Sequence, residues 1–354
     1  MWFKKKRVYA DAAGGMPPHY NPGALHQEGL AAKKKLEAAR AQVAAALNAH
    51  ADEIYFVSNA TEANRLVIEG QPVGAGTITS AIEHRSVLEP LRERGNVTEV
   101  AVDKEGMVFP SAVALALQPD TAFVSIQLVN SEMGAVQPVR EIAKELQRKR
   151  TKSPPAGGQV YFHTDAAQAP LWIKLDMQKL PVDLMTLDGI LYIKRGTPFT
   201  LPRQGTPDVA AAVAAARFLV DAQAGVEKRV KKVTAVRDYL WNEIKKVLPD
   251  TILNGPSISK GSPCYRVANN LNISIPKLDA QMAVVSLDAL GIAASTRSAC
   301  NIGDEEPSHV IKAMGVRPEL TGTAIRLTLL PNASYRDARR IVEALQETAE
   351  RYRR

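Results

Sequence analysis

An acidic residue at the end of a short apolar segment is the first candidate for chemistry. Asp165 closes residues 160–164 (VYFHT), a run typical of a β-strand, and Gln168 follows three residues later. Ligands of open α/β sheets bind beyond the carboxyl ends of the strands, so a carboxylate there is placed for chemistry. Such an acid can pair with a protonated ring nitrogen of a bound ligand. The alternative is that Asp165 only caps a following helix.

A cysteine in a small, polar segment is the second candidate. Cys300 lies within residues 295–304 (STRSACNIGD), three residues after Arg297. A thiol beside a cation is the kind whose thiolate becomes available as a nucleophile, although an incidental surface thiol is the alternative. Cys264 has no comparable context, and two cysteines without clustered histidines do not make a zinc site.

Further polar residues lie at the ends of predicted strands or inside them. His84 follows a strand-like segment, where an imidazole could stack on a planar ring, move protons or only cap a helix. Residues 58–64 form a polar turn between a strand and a helix, a layout that presents N–H groups to a phosphate, although an ordinary capped helix fits equally well. Arg326 stands in an apolar strand and should have an anionic partner, either a structural carboxylate or a substrate carboxylate.

The elements that would position these groups alternate between strand and helix. Strand-like segments are residues 54–57, 77–80, 97–102, 122–128, 182–187 and 190–194, and helix-like segments are residues 27–49, 85–94, 111–117 and 139–148. This alternation predicts an α/β fold with a mostly parallel sheet between helices. Residues 208–247 read as one or two long helices, and an α+β pattern follows from residue 271. We therefore expect a large domain over residues 12–250 and a small α+β domain from residues 1–11 and 251–354.

Composition limits the class of protein. The 354 residues are 45% hydrophobic and carry a formal net charge of +8. Nucleic-acid binding is not favoured, because the basic residues alternate with acids and aromatic residues make up only 5% of the chain. No apolar run reaches the roughly 20 residues of a membrane span, and no signal peptide is expected. Two cysteines make no disulfide framework, which favours a reducing cytoplasm.

Taken together and in order, the motifs resemble those of the cysteine desulfurases, a class V branch of the fold-type I enzymes that depend on pyridoxal 5′-phosphate (PLP). The matching segments are Asn59-Ala60-Thr61-Glu62, Glu83-His84, residues 129–134 (VNSEMG), residues 163–168 (HTDAAQ), residues 203–206 (RQGT), residues 270–274 (NLNIS), Ser298-Ala299-Cys300 and Ala324-Ile325-Arg326. The resemblance runs over nearly the whole chain. It implies a large PLP-binding domain and a smaller domain that carries the Cys300 loop.

The resemblance also implies a role for each matching residue. In the large domain, Thr61 would bind the cofactor phosphate, His84 would stack on the ring, Asp165 would keep the ring nitrogen protonated and Gln168 would contact the ring hydroxyl. Asn130 and Arg326 would hold the substrate carboxylate, and Thr206 would reach the phosphate of the neighbouring subunit of a homodimer. Cys300 would take sulfur from L-cysteine as a persulfide, for delivery to an acceptor or scaffold protein in iron–sulfur cluster or thio-cofactor assembly.

One departure from the family pattern concerns the PLP lysine. The family places its Schiff-base lysine in a loop just beyond the position of Gly189, but here Gly189 runs straight into Ile190. A second shortening falls between Thr200 and Arg203. Asp188 stands where many members have a hydroxyl, and its carboxylate would repel a phosphate. Lys194 is the nearest lysine but lies on the next strand. Either the chain lacks these loops and its PLP chemistry is weakened or lost, or the natural protein has loops that this sequence omits.

Three functions therefore remain open. The first is a cysteine desulfurase. The second is a non-catalytic homologue that keeps Cys300 and acts as a dimeric scaffold or persulfide acceptor. The third is another class V enzyme such as a selenocysteine lyase; an aminotransferase is disfavoured, because it needs no thiol at residue 300.

Overall fold

The computed structural model describes residues 8–16, 18–152, 160–202, 205–258, 265–296 and 308–352. Its strands are β1 (Ile54–Phe56), β2 (Gly76–Ser80), β3 (Val97–Val100), β4 (Thr121–Ser125), β5 (Tyr161–Asp165), β6 (Leu184–Leu187), β7 (Ile190–Ile193), β8 (Ile252–Asn254), β9 (Asn270–Ser274) and β10 (Ala324–Thr328). Its helices are α1 (Gln27–Leu47), α2 (Ala60–Glu69), α3 (Arg85–Arg94), α4 (Pro110–Leu115), α5 (Val139–Lys152), α6 (Val209–Ala224), α7 (Val226–Val247), α8 (Ala280–Ala289), α9 (His309–Ala313), α10 (Pro318–Thr321) and α11 (Tyr335–Tyr352).

The larger sheet has the strand order β1-β7-β6-β5-β4-β2-β3. β2, β3, β4, β5 and β6 pair in parallel, and β7 is antiparallel to both of its neighbours, β1 and β6. Every residue of β2, β6 and β7 is buried, as expected for strands that helices cover on both faces. The predicted α/β fold with a mostly parallel sheet is therefore confirmed.

A two-residue turn joins β6 to β7. Leu187 and Ile190 are paired across the sheet, so Asp188 and Gly189 alone make the connection. Gly189 has φ +77°, a left-handed conformation that a residue without Cβ adopts at little cost. Its carbonyl accepts a hydrogen bond from the N–H of Val57 at 3.1 Å. Because β6 runs parallel to β5, this turn lies at the same edge of the sheet as Asp165.

The second sheet is antiparallel, with the order β10-β9-β8. β9 contributes five buried residues, α8 packs against β10, and α7 packs against α11. β8 is absent from the sequence-based prediction because it has only three residues between turns. The division of the chain at residue 250 stays a prediction.

Within the described ranges, no helix alone is long and apolar enough to cross a membrane, although α6 and α7, bent by 71° at their junction, pass the same criterion as a pair.

Candidate active site

A cavity of about 250 Å³ lies at the carboxyl edge of the larger sheet. It brings together four of the predicted site residues, which come from widely separated segments: Thr61, His84, Asp165 and Gln168. Ser86, Gln127, Ser131 and Asp188 also line it. The strand ends and helix starts that the sequence predicts therefore converge on one pocket, at the edge where open α/β sheets bind ligands.

Asp165 is the last residue of β5 and is 8% exposed. Its Oδ2 accepts a hydrogen bond from Asn64 Nδ2 at 2.8 Å, and its Oδ1 accepts one from the N–H of Ala167 at 3.0 Å. No helix begins at residue 166, so Asp165 caps a turn and not a helix. Burial raises the pKa of the Asp165 carboxyl, against these hydrogen bonds and the charge of His84. A cationic ligand group beside this carboxylate would offset the cost of burying its charge.

The imidazole of His84 is held by the start of α3. Its Nδ1 lies 2.7 Å from Ser86 Oγ and accepts from the N–H of Ser86 at 3.2 Å. Asn64 Nδ2 donates to the same Ser86 hydroxyl at 2.9 Å, so Asn64 links His84 to Asp165. Because Nδ1 accepts, a neutral His84 carries its proton on Nε2. His84 is thus the N-cap that the sequence allowed, and it also lines the cavity.

The sequence analysis does not predict Asn64 or Ser86 as site residues. Asn64 is fully buried on α2 among apolar neighbours, and a buried amide in such a helix is the signal that could have revealed it. Ser86 offered no signal of that kind, because a serine in the first turn of a helix is common.

Two buried titratable residues, Glu83 and His163, lie close in sequence to residues that line the pocket. Glu83 is fully buried, and burial raises its pKa to about 8, although Ser80 and the N–H of Gln127 donate to its carboxyl group. His163 lies between Ser125 Oγ at 2.9 Å and Thr186 Oγ1 at 3.0 Å. Burial lowers the pKa of His163 to about 3, so its ring is neutral and serves the packing of the sheet.

A second cavity of about 420 Å³ adjoins the first and contains Arg326. His84, Ser131 and Gln168 line both cavities. Arg326 Nη1 donates to the carbonyl of Ser131 at 3.3 Å. Its position on β10 brings the small sheet to the carboxyl edge of the large one, so a ligand held by Asp165 could also reach Arg326.

Asn130 and Thr206 do not line either cavity as the chain is described. Asn130 is buried, its Nδ2 donates to the carbonyl of Ile82 at 3.1 Å, and its Oδ1 accepts from the N–H groups of Glu132 and Met133. Its side chain therefore shapes the turn that carries Ser131. Thr206 is exposed. Their assigned roles stay predictions.

Cys300 lies outside the described residues, but both ends of its segment are described. Ser295 and Arg326 exchange backbone hydrogen bonds, at 3.2 and 2.6 Å. On the other side, Ser308 Oγ donates to Glu132, and His309 Nε2 lies 3.0 Å from the carbonyl of Glu83, the residue before His84. The segment that carries Cys300 thus leaves and rejoins the described chain beside the cavities.

The start of α2 forms the rim of the first cavity. The N–H of Ala60 donates to Asp188 Oδ1 at 3.1 Å, and the N–H of Glu62 donates to Asn59 Oδ1 at 2.9 Å. The described lining of the two cavities contains no lysine. Lys194 is exposed, and its N–H donates to the carbonyl of Asp183 before β6, at the opposite edge of the sheet. It cannot replace the family's lysine.

Comparisons with known proteins decide the family. The aminotransferase class-V family matches residues 17–189. A cysteine desulfurase IscS of Methanosarcina thermophila is 34% identical over 94% of this chain and 86% of its own length. A cysteine desulfurase IscS of Dictyoglomus turgidum is 32% identical over 94% of this chain and 88% of its own length. The chain belongs to the cysteine desulfurase family. A solved structure of a NifS-like protein is 27% identical in sequence to this chain. The two structures match with a TM-score of 0.81 over 93% of this chain and 91% of the solved chain.

Members of this family depend on PLP, and the described residues meet only part of what PLP requires. They fit its ring, because a buried carboxylate and an imidazole meet at the carboxyl edge of the sheet. They do not fit its covalent attachment, because no described lining residue is a lysine. They also fit a phosphate poorly, because Asp188 already accepts from the start of α2.

Proposed function

We propose that this chain is a cysteine desulfurase: it removes sulfur from L-cysteine, releases L-alanine and keeps the sulfur as a persulfide on Cys300. One C–S bond of the substrate breaks, one S–S bond forms, and the thiol proton of Cys300 balances the new C–H bond of alanine. The observation that carries the proposal is the meeting of Asp165, His84 and Arg326 in two adjoining cavities, with both ends of the Cys300 segment beside them.

Each polar group then has a task. When bound, PLP supplies an electron sink for the substrate. Asp165 would keep the ring nitrogen protonated, since its buried carboxylate would stabilise a cation beside it. His84 would pack on the ring, and Gln168 would contact the ring hydroxyl. Arg326 would orient the substrate carboxylate, and Asn130, whose side chain holds the turn of Ser131, would act through that turn.

We also propose that the protein acts in the cytoplasm as a homodimer, with Thr206 reaching the partner's pocket, and passes its sulfur to an acceptor or scaffold protein. The low cysteine content supports a reducing compartment. Size-exclusion chromatography with light scattering tests the dimer.

The test of the activity follows both products. Purified protein is incubated with PLP and L-cysteine, alanine is quantified, and intact mass is recorded before and after reduction. We expect one alanine for each added sulfur atom, reversible by a thiol reductant. Cys300→Ser should abolish both products, while Cys264→Ser, the matched control, should retain them. A wild-type protein that gives neither alanine nor added sulfur would rule out the desulfurase. Substitution of L-selenocysteine for L-cysteine tests the lyase alternative.

A second candidate is a persulfide acceptor or scaffold that does no PLP chemistry. The two-residue turn at Asp188 and Gly189, together with a described lining without lysine, favours it. In that case Cys300 should gain sulfur from an added inorganic polysulfide, while no alanine appears from L-cysteine at any PLP concentration.

A further inference from the structure

We infer that the carboxylate of Asp188 occupies the position at the N-terminus of α2 where an anion would bind. The phosphate of a pyridoxal-type ligand then adds little to its affinity for this pocket. The inference rests on the proposed function, because it concerns the form of the ring compound that the same pocket takes. It predicts that unphosphorylated pyridoxal compounds bind about as tightly as their phosphate esters.

The first support is the use of the helix amides. The first turn of a helix has N–H groups without intrahelical partners, and these groups are what binds a phosphate. In α2 the N–H of Ala60 donates to Asp188 and the N–H of Glu62 donates to Asn59. Two of the first three amide groups are therefore engaged by side chains of the protein itself, and a phosphate would have to displace the carboxylate.

The second support is charge. The lining of the first cavity, as described, includes two carboxylates, Asp165 and Asp188, and neither lysine nor arginine. Glu62 adds a third carboxylate at the start of α2, and hydrogen bonds from Ser58 lower the pKa of Glu62, so it stays ionised. A phosphate dianion in this rim would meet like charges, and no lysine or arginine in the described lining offsets them.

The third support is the placement of Asp188. The two-residue turn fixes its backbone, because Leu187 and Ile190 are already paired and the carbonyl of Gly189 accepts from Val57, three residues before Ala60. The turn and the start of α2 are thus tied together.

The experiment compares pyridoxine with pyridoxine 5′-phosphate by isothermal titration calorimetry. Both are alcohols, so neither reacts with surface lysines. We expect the wild-type protein to bind them with Kd values within about three-fold of each other. Asp188→Asn keeps an oxygen for the N–H of Ala60 and removes only the charge. It should tighten binding of the phosphate ester about ten-fold and leave pyridoxine unchanged, since roughly 1.4 kcal/mol corresponds to ten-fold.

Asp279→Asn is the matched control, because Asp279 caps α8 away from the pocket and the change removes one charge in the same way. It should leave both Kd values unchanged. Asp188→Ser replaces Asp188→Asn if the latter unfolds, as judged by circular dichroism. A wild-type protein that binds the phosphate ester more than ten-fold tighter than pyridoxine, with a ratio that Asp188→Asn does not alter, overturns the inference and leaves the proposed function standing. Absence of binding by every variant overturns both.

Discussion

The two acidic residues of the pocket sit in different surroundings. Asp165, at the end of β5, is 8% exposed and accepts hydrogen bonds from Asn64 and from the N–H of Ala167. Asp188, after β6, is exposed and accepts from the N–H of Ala60. The first site is built into the body of the fold, and the second depends on the length of one turn. A short turn can therefore change what the rim binds and leave the ring site intact.

The largest expected effect is at Asp165, the buried carboxylate of the pocket. Asp165→Asn should weaken binding of pyridoxine about 100-fold, because removal of one partner of a buried ion pair costs about 3 kcal/mol or more. The fold should survive, since Asn64 Oδ1 has no hydrogen-bond partner among the described residues and its amide can turn to accept from the new side chain. Calorimetry measures the affinity. Asp188→Asn is the matched control with the same charge change. An equal loss of pyridoxine affinity in both variants would contradict the contrast between Asp165 and Asp188.

Glu83, which is buried beside the pocket, gives a prediction for the pH dependence of the free energy of unfolding. Burial raises its pKa in the folded chain to about 8 from 4.5, so the folded state holds a proton that the unfolded state loses. The free energy of unfolding of the wild type should therefore fall, relative to Glu83→Gln, as pH rises from about 5 to 8, by at most about 1.4 kcal/mol per pH unit. Above pH 8 the difference should level off. Urea unfolding at several pH values measures it, and a difference independent of pH would contradict the assignment.

Gly189 tests how firmly the turn that carries Asp188 is packed. Gly189→Ala should lower the free energy of unfolding by about 1–2 kcal/mol, because φ +77° is strained for alanine and the new Cβ would lie 3.2 Å from Ala215 Cβ. Gly74→Ala is the matched control, with φ +76° and open space around its Cβ. It should cost about 1 kcal/mol. The excess at Gly189, measured by urea unfolding, reports how firmly the turn is packed, and no excess would mean that the turn is loose.

Ser86 gives the smallest expected effect. Ser86→Ala removes the hydroxyl that contacts His84 Nδ1 but leaves the backbone N–H of residue 86 as a donor. Pyridoxine binding should weaken about three- to five-fold, since a single hydrogen bond contributes about 1 kcal/mol. Ser58→Ala, at the rim beside Glu62, is the control and should leave pyridoxine binding unchanged. A larger loss of pyridoxine affinity in Ser58→Ala than in Ser86→Ala would contradict the separation between the ring site around Asp165 and the rim around Asp188.

Local sequence patterns predict most of the fold. α3 begins at Arg85 as expected, because the apolar spacing of residues 85–94 has a helical period. Residues 208–247, predicted as one or two long helices, form two helices that separate at Gly225. β8 escapes prediction because three residues carry no periodicity.

The site is predicted less completely, because its contacts join distant parts of the chain. Asp165 is expected at a strand end from its own neighbours. Its partner Asn64, however, is 101 residues away, and the amide that meets Asp188 is 128 residues away. The sequence indicates repulsion between Asp188 and a phosphate, but the hydrogen bond to Ala60 becomes visible only when the strands are in register.

The turn between β6 and β7 has a consequence for engineering. Leu187 and Ile190 are paired directly, so the last residue pair of the two strands adjoins the point where a longer connection would be inserted. A lysine-bearing loop grafted between Asp188 and Gly189 would enter at the mouth of the cavity, and each doubling of its length would cost only about 0.6 kcal/mol in closure entropy. A covalent anchor for a cofactor could therefore be inserted beside the pocket at the one connection that adjoins the Leu187–Ile190 pair.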